Sequence, residues 1–218
     1  MNTLILDCSH GMSIYLYCNE NEFFHIDKNQ KKHTDELLLS VHELLNKANI
    51  SVKDINNICV CIGPGSFTGI RVAVSICKGL AIGTNAKIFV ADNFEIFSYG
   101  VNKKSIYILD GFSDYVYTRI FDGEIANDSC EKFSELVSKV KMDYYDYDIY
   151  VESEKMQNEL KKQEIQCKFP QNNIKKVFFD KINNDNSTPI NKISPIYLRA
   201  SQAEIERNER LKRNGENG

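Results

Sequence analysis

The segment Ile58-Cys-Val-Cys-Ile62 is wholly apolar, and a loop with glycines at Gly63, Gly65 and Gly69 follows it. A short apolar run without alternation suits a strand whose two sheet faces are both covered. From Ile70 to Gly83 the chain then carries Ile70, Val72, Ala73, Val74, Ile76, Cys77, Leu80, Ala81 and Ile82. At about 100° per residue these positions go almost all the way round a helix. Only Arg71, Ser75 and Lys78 leave a narrow polar strip. A helix apolar all round needs cover on more than one side, and the sheet beneath it supplies one side only. Strand, loop and helix together therefore demand a layered α/β fold. Gly79 and Gly83, four apart, would let another backbone approach closely. The extra cover is either the second half of this chain or another protein, and the residues alone leave both open.

Upstream the pattern is that of strands. Thr3 to Leu6 is an apolar run ending at Asp7, Ser13 to Cys18 alternates, and Phe23-Phe24-His25-Ile26 offers a third strand. Short turns at Ser9-His10-Gly11 and Asn19-Glu20-Asn21 predict antiparallel pairing. The period then changes. Leu37, Leu38, Val41, Leu44, Leu45 and Ala48 predict a helix over 34–48, with Thr34 as its cap and Asp35 and Glu36 in its first turn. Leu39 lies opposite that stripe. Ser51-Val-Lys-Asp54 has capping-box spacing for a short helix. Lys87 to Val90 reads as a strand and Phe94 to Tyr99 as a helical piece. Strands after the crossovers should lie parallel to the first. Three antiparallel strands, then helix, strand, helix, strand, is the order of a ribonuclease-H-like unit, the building block of actin-like folds.

Beyond Gly100 the pattern weakens. Ser105 to Leu109 and Tyr115 to Phe121 read as strands joined by Asp110-Gly-Phe-Ser-Asp114. Glu131 to Val140 and Glu152 to Lys162 read as helices around a strand at Ile149 to Val151. Val177 to Phe179 is expected as a strand and Asn183 to Pro189 as a polar loop. The sequence shows no internal repeat. The expected organisation is an N-terminal subdomain over 1–100, a smaller α/β subdomain over 101–198 and a charged tail over 199–218.

Composition bounds the chemistry. Of 218 residues, 42% are hydrophobic and 26% charged, as in globular proteins. A net charge of -3 gives no global attraction to nucleic acid. The 7 Cys include no C-x-x-C pair and several sit in apolar runs, so they read as reduced, small hydrophobes. The N-terminus lacks the basic and apolar regions of a signal peptide. No run approaches the ~18 apolar residues of a membrane span. A cytoplasmic protein without a membrane partner is the expectation. His10, His25, His33 and His42 include no H-x-x-x-H pair, so no metal site is expected. The Gly63 to Gly69 loop, placed between strand and helix, could cradle an anion, but it lacks the lysine of a P-loop and is one residue off the dinucleotide fingerprint. Spacing alone favours a Pro-Gly turn followed by a Ser66 or Thr68 helix cap. Asp7 and Ser9 stand where actin-like enzymes handle phosphate and metal, although a lone strand-end Asp is more often a turn residue.

Lys32-His33-Thr34-Asp35-Glu36-Leu37-Leu38, followed by Ile62-Gly63-Pro64-Gly65-Ser66-Phe67-Thr68-Gly69-Ile70-Arg71 and Lys78-Gly79-Leu80-Ala81, closely resembles the bacterial TsaB (YeaZ) family. Leu4-Ile5-Leu6-Asp7-Cys8-Ser9 resembles that family's opening strand, with Cys8 in place of its usual Thr. Pro195-Ile196-Tyr197-Leu198-Arg199 resembles its C-terminal Pro-x-Tyr-Leu-Arg signature. The likeness covers about the first hundred residues and that signature. It implies an actin-like (ASKHA) fold of two small subdomains. It also implies a non-catalytic subunit in the synthesis of N6-threonylcarbamoyladenosine at position 37 of tRNA. The implied partner is the paralogous TsaD subunit, which holds the metal and transfers the threonylcarbamoyl group, with a TsaE ATPase joining the pair and tRNA met indirectly through the complex. Nucleotide and metal then belong to the partners, with no cofactor held tightly by this chain. Pairing would use Thr34, Leu38, Val41 and Leu45 on the first helix and Ile70, Ala73, Val74, Cys77, Gly79 and Leu80 on the second, with a homodimer through the same helices when the partner is absent. The contrasting expectation is a small actin-like ATPase or kinase acting alone. That enzyme needs phosphate loops on both subdomains, and only the first turn is recognisable. A metalloprotease, the label attached to relatives of this fold, lacks its His pair.

Overall fold

A computed structural model describes residues 1–27 and 33–198, with side chains left out of the description for 33–35. The charged tail lies outside the described residues; Thr34, expected as cap and interface residue, falls inside the first helix by its backbone, and its side chain is not described. Nine strands and six helices follow one another: β1 (Thr3–Asp7), β2 (Met12–Cys18), β3 (Asn21–Asp27), α1 (His33–Lys47), β4 (Asn57–Cys61), α2 (Phe67–Thr84), β5 (Lys87–Ala91), α3 (Asn93–Ser98), β6 (Ser105–Asp110), β7 (Tyr115–Phe121), β8 (Ala126–Lys132), α4 (Phe133–Asp143), β9 (Asp148–Val151), α5 (Glu154–Lys162) and α6 (Ile174–Asn183).

The first sheet has the order β3-β2-β1-β4-β5, with β1 antiparallel to β2 and parallel to β4. The second has the order β8-β7-β6-β9, with β6 antiparallel to β7 and parallel to β9. The second sheet thus repeats the arrangement of the first: three antiparallel strands, a helix, then a parallel strand. Sequence reading found no repeat, because what recurs is strand order and burial pattern and not residue identity.

Both faces of the first sheet are covered, which is why β1 is apolar from Leu4 to Leu6 and β4 from Ile58 to Cys61. Leu4, Leu6, Ile14, Ile58 and Val60 pack under Leu37, Val41 and Leu44 of α1 and Ala73 and Cys77 of α2. On the opposite face Ile5, Cys59, Cys61 and Phe89 pack against Ile96 of α3 and Ile174, Val177 and Phe178 of α6. The stretch Val177 to Phe179, expected as a strand, is therefore helical. Ile174, Val177 and Phe178 stand at i, i+3 and i+4, and three residues were too few to show that period. By packing, α6 joins the N-terminal sheet, although its place in the chain assigned it to the second subdomain.

Two further differences concern the second half. β8 escaped notice because its sequence, ANDSCEK, is polar and its outer edge is unpaired. The helix expected from Glu131 begins at Phe133, after that strand ends. Local signals elsewhere act as expected. Ser51 and Asp54 close a capping box on a 3-10 turn over Val52–Asp54, and Ser66 caps α2 by accepting a hydrogen bond from Gly69 N at 3.2 Å. With 18 residues, α2 is long and apolar enough to cross a membrane by length and composition, contrary to the expectation that no run would qualify. Its buried residues, Gly69, Ile70, Ala73, Val74, Cys77 and Ala81, pack inside this chain as those of a core helix do.

Candidate functional site

The glycine loop is filled by the chain's own backbone. Ser66 N donates to Ser9 O at 2.7 Å, so the loop leans on the β1–β2 turn. A Cβ at Gly65 would sit 2.5 Å from Ser9 O, and one at Gly69 would run into the Cys8 carbonyl oxygen. Here glycine permits a close approach of backbone to backbone. Of the two readings left by spacing, the turn and helix cap is the one the geometry favours.

Asp7 and Ser9 are likewise turned inward. Asp7 Oδ1 accepts from Ser9 N at 2.9 Å and from Ser9 Oγ at 2.6 Å. Ser9 is buried, and Asn93, the first residue of α3, approaches it: Ser9 Oγ lies 3.3 Å from Asn93 Oδ1. The Asn93 amide donates to Pro64 O at 2.7 Å, and the Cys61 thiol donates to Asn93 Oδ1 at 3.2 Å. Asn93 thus ties the first turn, the glycine loop and the end of β4 together. Burial, with the nearby Asp7 charge, pushes the Cys8 thiol up to about 12, and burial pushes Cys61 up as well. Both stay protonated and act as packing groups.

Two charged side-chain contacts are among those that link the subdomains. His10 Nδ1 lies 2.8 Å from Glu152 Oε1, just beyond β9, and Glu152 Oε2 accepts from Asp110 N at 3.1 Å. Burial alone would lower the His10 pKa, but the Glu152 hydrogen bond and the charges of Glu152, Asp7 and Asp110 outweigh it and raise the value. The second bridge is Arg119 of β7, which grips Asp128 through Nε at 2.7 Å and reaches Asp92 at 3.4 Å. Burial raises the Asp92 pKa, and the Arg119 charge offsets part of that rise. Asp110 ends β6 as Asp7 ends β1, so the turn over 110–114 is the counterpart of the first turn. Sequence reading missed this equivalence, along with Asn93 and Glu152. The only available signal was an Asp at the end of each opening strand. Among the described residues no group of three or more His, Cys, Asp and Glu side chains is arranged to hold a metal.

The helix pair sorts the proposed interface residues. Val41, Leu45, Ile70, Ala73, Val74 and Cys77 are buried in the chain's own core, where they hold α1 and α2 in place, so the pairing surface expected of them is not made by their side chains in this chain alone. Leu38, expected in the buried stripe, points outward with Leu39; they are 54% and 63% exposed. On α2 the outward strip holds Arg71, Ser75, Gly79 and Ile82, and Ile82 is 75% exposed. Leu80 is half-buried. Nothing lies within 4 Å of a Cβ built on Gly79 or Gly83. Among the described residues, the second half of the chain therefore leaves Gly79 and Gly83 uncovered and comes near this face only at residues 187–190, beside Ile82.

The C-terminal signature returns to the motif loop. Ile196 N donates to Ile62 O at 2.9 Å, and Tyr197 Oη accepts from Arg71 Nε at 2.7 Å. Phe67 lies 3.6 Å, from its ring centre, under the same guanidinium. Leu198 packs with Phe94, Tyr107 and Leu109 between the two subdomains.

Two paired sheets of like order, joined across a bridged gap, make this an actin-like α/β protein with a ribonuclease-H-like N-terminal half. The chain belongs to the family described as "TsaD: tRNA N6-adenosine threonylcarbamoyltransferase", whose model matches residues 27–184. Within it the resemblance to TsaB (YeaZ) holds. The chain is 35% identical over 83 residues to the tRNA threonylcarbamoyladenosine biosynthesis protein TsaB of Buchnera aphidicola subsp. Baizongia pistaciae (strain Bp), covering 38% of each chain. It is 28% identical over 106 residues to the protein of that name from Escherichia coli (strain K12), covering 48% of this chain and 46% of the other. The chain thus spans less than half the length of these curated relatives. YeaZ from Pseudomonas aeruginosa shares the fold, with a TM-score of 0.70 at 18% identity over 90% of this chain and 99% of that one.

Proposed function

We propose that this chain is a non-catalytic partner subunit in the formation of tRNA N6-threonylcarbamoyladenosine at position 37, pairing with a TsaD-type transferase through the outward faces of α1 and α2. The observation that carries the reading is the open apolar face of Leu38, Leu39, Gly79, Ile82 and Gly83. Its own sheet is already covered, so this surface is left for another protein. The cleft supports a structural role for this chain. Asp7 and Ser9 satisfy each other, the glycine loop is occupied by backbone, and His10 and Glu152 span the gap. In this reading nucleotide, metal and tRNA are handled by the transferase and by a TsaE-type ATPase, all in the cytoplasm. A homodimer through the same face would form when the transferase is absent. Reconstitution tests the proposal: TsaD-type and TsaE-type subunits with the threonylcarbamoyl-AMP synthase should modify tRNA only when this chain is added. Equal modification without it would sink the idea.

A second reading, a stand-alone actin-like ATPase or kinase, draws on one observation. Asp7 and Asp110 end equivalent strands, so each subdomain carries an acidic turn at the cleft. Isothermal titration with ATP and magnesium separates the two readings, since tight binding by the isolated chain belongs to the enzyme.

A further inference from the structure

Among the described residues, Arg71 is the one cation set near two aromatic rings. Its guanidinium sits 3.6 Å over the Phe67 ring and 5.4 Å from the Tyr197 ring, and its Nε is used by Tyr197 Oη. Among the described residues its two terminal nitrogens meet no carboxylate, and Lys78 meets none either. The two cations stand seven residues apart on the same strip of α2, about 10.5 Å along the helix. No Asp or Glu occurs anywhere in α2. Gly79 and Ile82 are exposed beside the strip on α2, and Leu38 and Leu39 are exposed on α1.

We propose that Arg71 and Lys78 receive two carboxylates from a helix of the partner protein, with Phe67 and Tyr197 presetting the Arg71 fork. The proposal rests on the pairing reading above and supplies the chemistry of the partner's surface. Stacking on Phe67 and the Nε hydrogen bond to Tyr197 Oη fix the plane of the guanidinium, so little freedom remains to be lost when a carboxylate docks bidentately. A helix bearing acidic residues two turns apart, with small or apolar residues between them, matches the strip in charge and shape. A second copy of α2 brings no carboxylate to either cation, so self-pairing of α2 on α2 lacks this anchor and should be weaker than pairing with the transferase. Nucleic acid fits less well. Two cations set among leucine, isoleucine and glycine offer few phosphate contacts, and an RNA backbone would leave the apolar flank unused.

The test is calorimetric titration of the full chain into the TsaD-type subunit of the same organism, at low and moderate salt. Arg71→Gln should weaken pairing by roughly tenfold or more, and Lys78→Gln by a few-fold. Affinity of the double variant should lose most of its salt dependence. Arg71→Lys keeps the charge but loses fork and stacking, so it should stay about fivefold or more weaker. Tyr197→Phe keeps the ring and should cost about two- to threefold. These residues are at the surface, and unchanged thermal melts would show that each variant folds. Pairing of Arg71→Gln and Lys78→Gln at wild-type affinity would overturn the carboxylate anchor alone. Failure of the wild-type chain to pair would overturn the pairing reading and the anchor with it. If the variants pair normally but the assembled complex loses tRNA in a filter-binding assay, the cations serve phosphate and the proposal falls.

Discussion

Two glycines on an exposed helix face, one of them in its interior, should be expensive, and α2 keeps both. Gly79 and Gly83 are helical and exposed, and a Cβ at either meets nothing within 4 Å. Replacing glycine by alanine in an exposed helix interior stabilises a protein by about 0.8–1 kcal/mol. Gly83 lies next to the helix end at Thr84, so its gain should be the smaller. Gly79→Ala should therefore raise the stability of the isolated chain by roughly 1 kcal/mol, or about 2–4 °C in Tm for a chain of this size. Gly69→Ala, in the same helix, should do the opposite. There the new methyl meets the Cys8 carbonyl, which is fixed in the β1–β2 turn and cannot move without straining the Ser66–Ser9 hydrogen bond. Overpacking of this kind costs about 1–3 kcal/mol, which exceeds the helix-propensity gain. Urea unfolding of the three variants, followed by circular dichroism, reads both signs. If α2 meets a partner through Gly79, the stabilised Gly79→Ala monomer should pair more weakly with the TsaD-type subunit. A destabilised Gly79→Ala, or a Gly69→Ala as stable as the parent, would refute the assignment of inward and outward faces.

Other perturbations follow from the same geometry. Ala73→Arg, which an outward-facing α2 residue would tolerate, places a charge at a fully buried site and should abolish cooperative unfolding; a normal melt would mean Ala73 is not buried. Because the folded-state pKa of His10 is raised, the His10–Glu152 bridge stabilises the fold fully below the ordinary histidine pKa and is lost as pH rises through the raised value. The stability advantage of the wild-type chain over Glu152→Gln should therefore shrink as pH is raised above about 6.5, and urea midpoints that differ by a constant amount across that range would contradict it. Cys8, Cys59, Cys61 and Cys77 are buried with thiol pKa values raised chiefly by burial, so iodoacetamide on the native chain should spare them and reach Cys130 and Cys167 first. Mass spectrometry showing early alkylation of Cys61 would count against a closed cleft.

The sequence carried much of the N-terminal half. Change of period from two to 3.6 located β1 to β3, α1, β4, α2 and β5 in order, because strands and helices that bury one face must repeat at those spacings. Ser66 and Ser51 announced their caps for an equally local reason, since a cap bonds to backbone only a few residues away. The apolar girth of α2 told correctly that its own sheet would not cover it. Girth carries little angular information, however. When nearly every position is apolar, the sequence cannot say that Ala73 and Cys77 face the core while Gly79 and Ile82 face out. Contacts distant in the chain were equally out of reach. Tertiary structure alone brought α6 back to the first sheet, set Tyr197 on Arg71 across 126 residues of chain, and placed Asn93 against Ser9 across 84. It alone closed the glycine loop on the Cys8 and Ser9 carbonyls. Periodicity is written locally by the need to bury one face of each element; the choice of face, and what fills a loop, are settled only when distant segments compete for the same space.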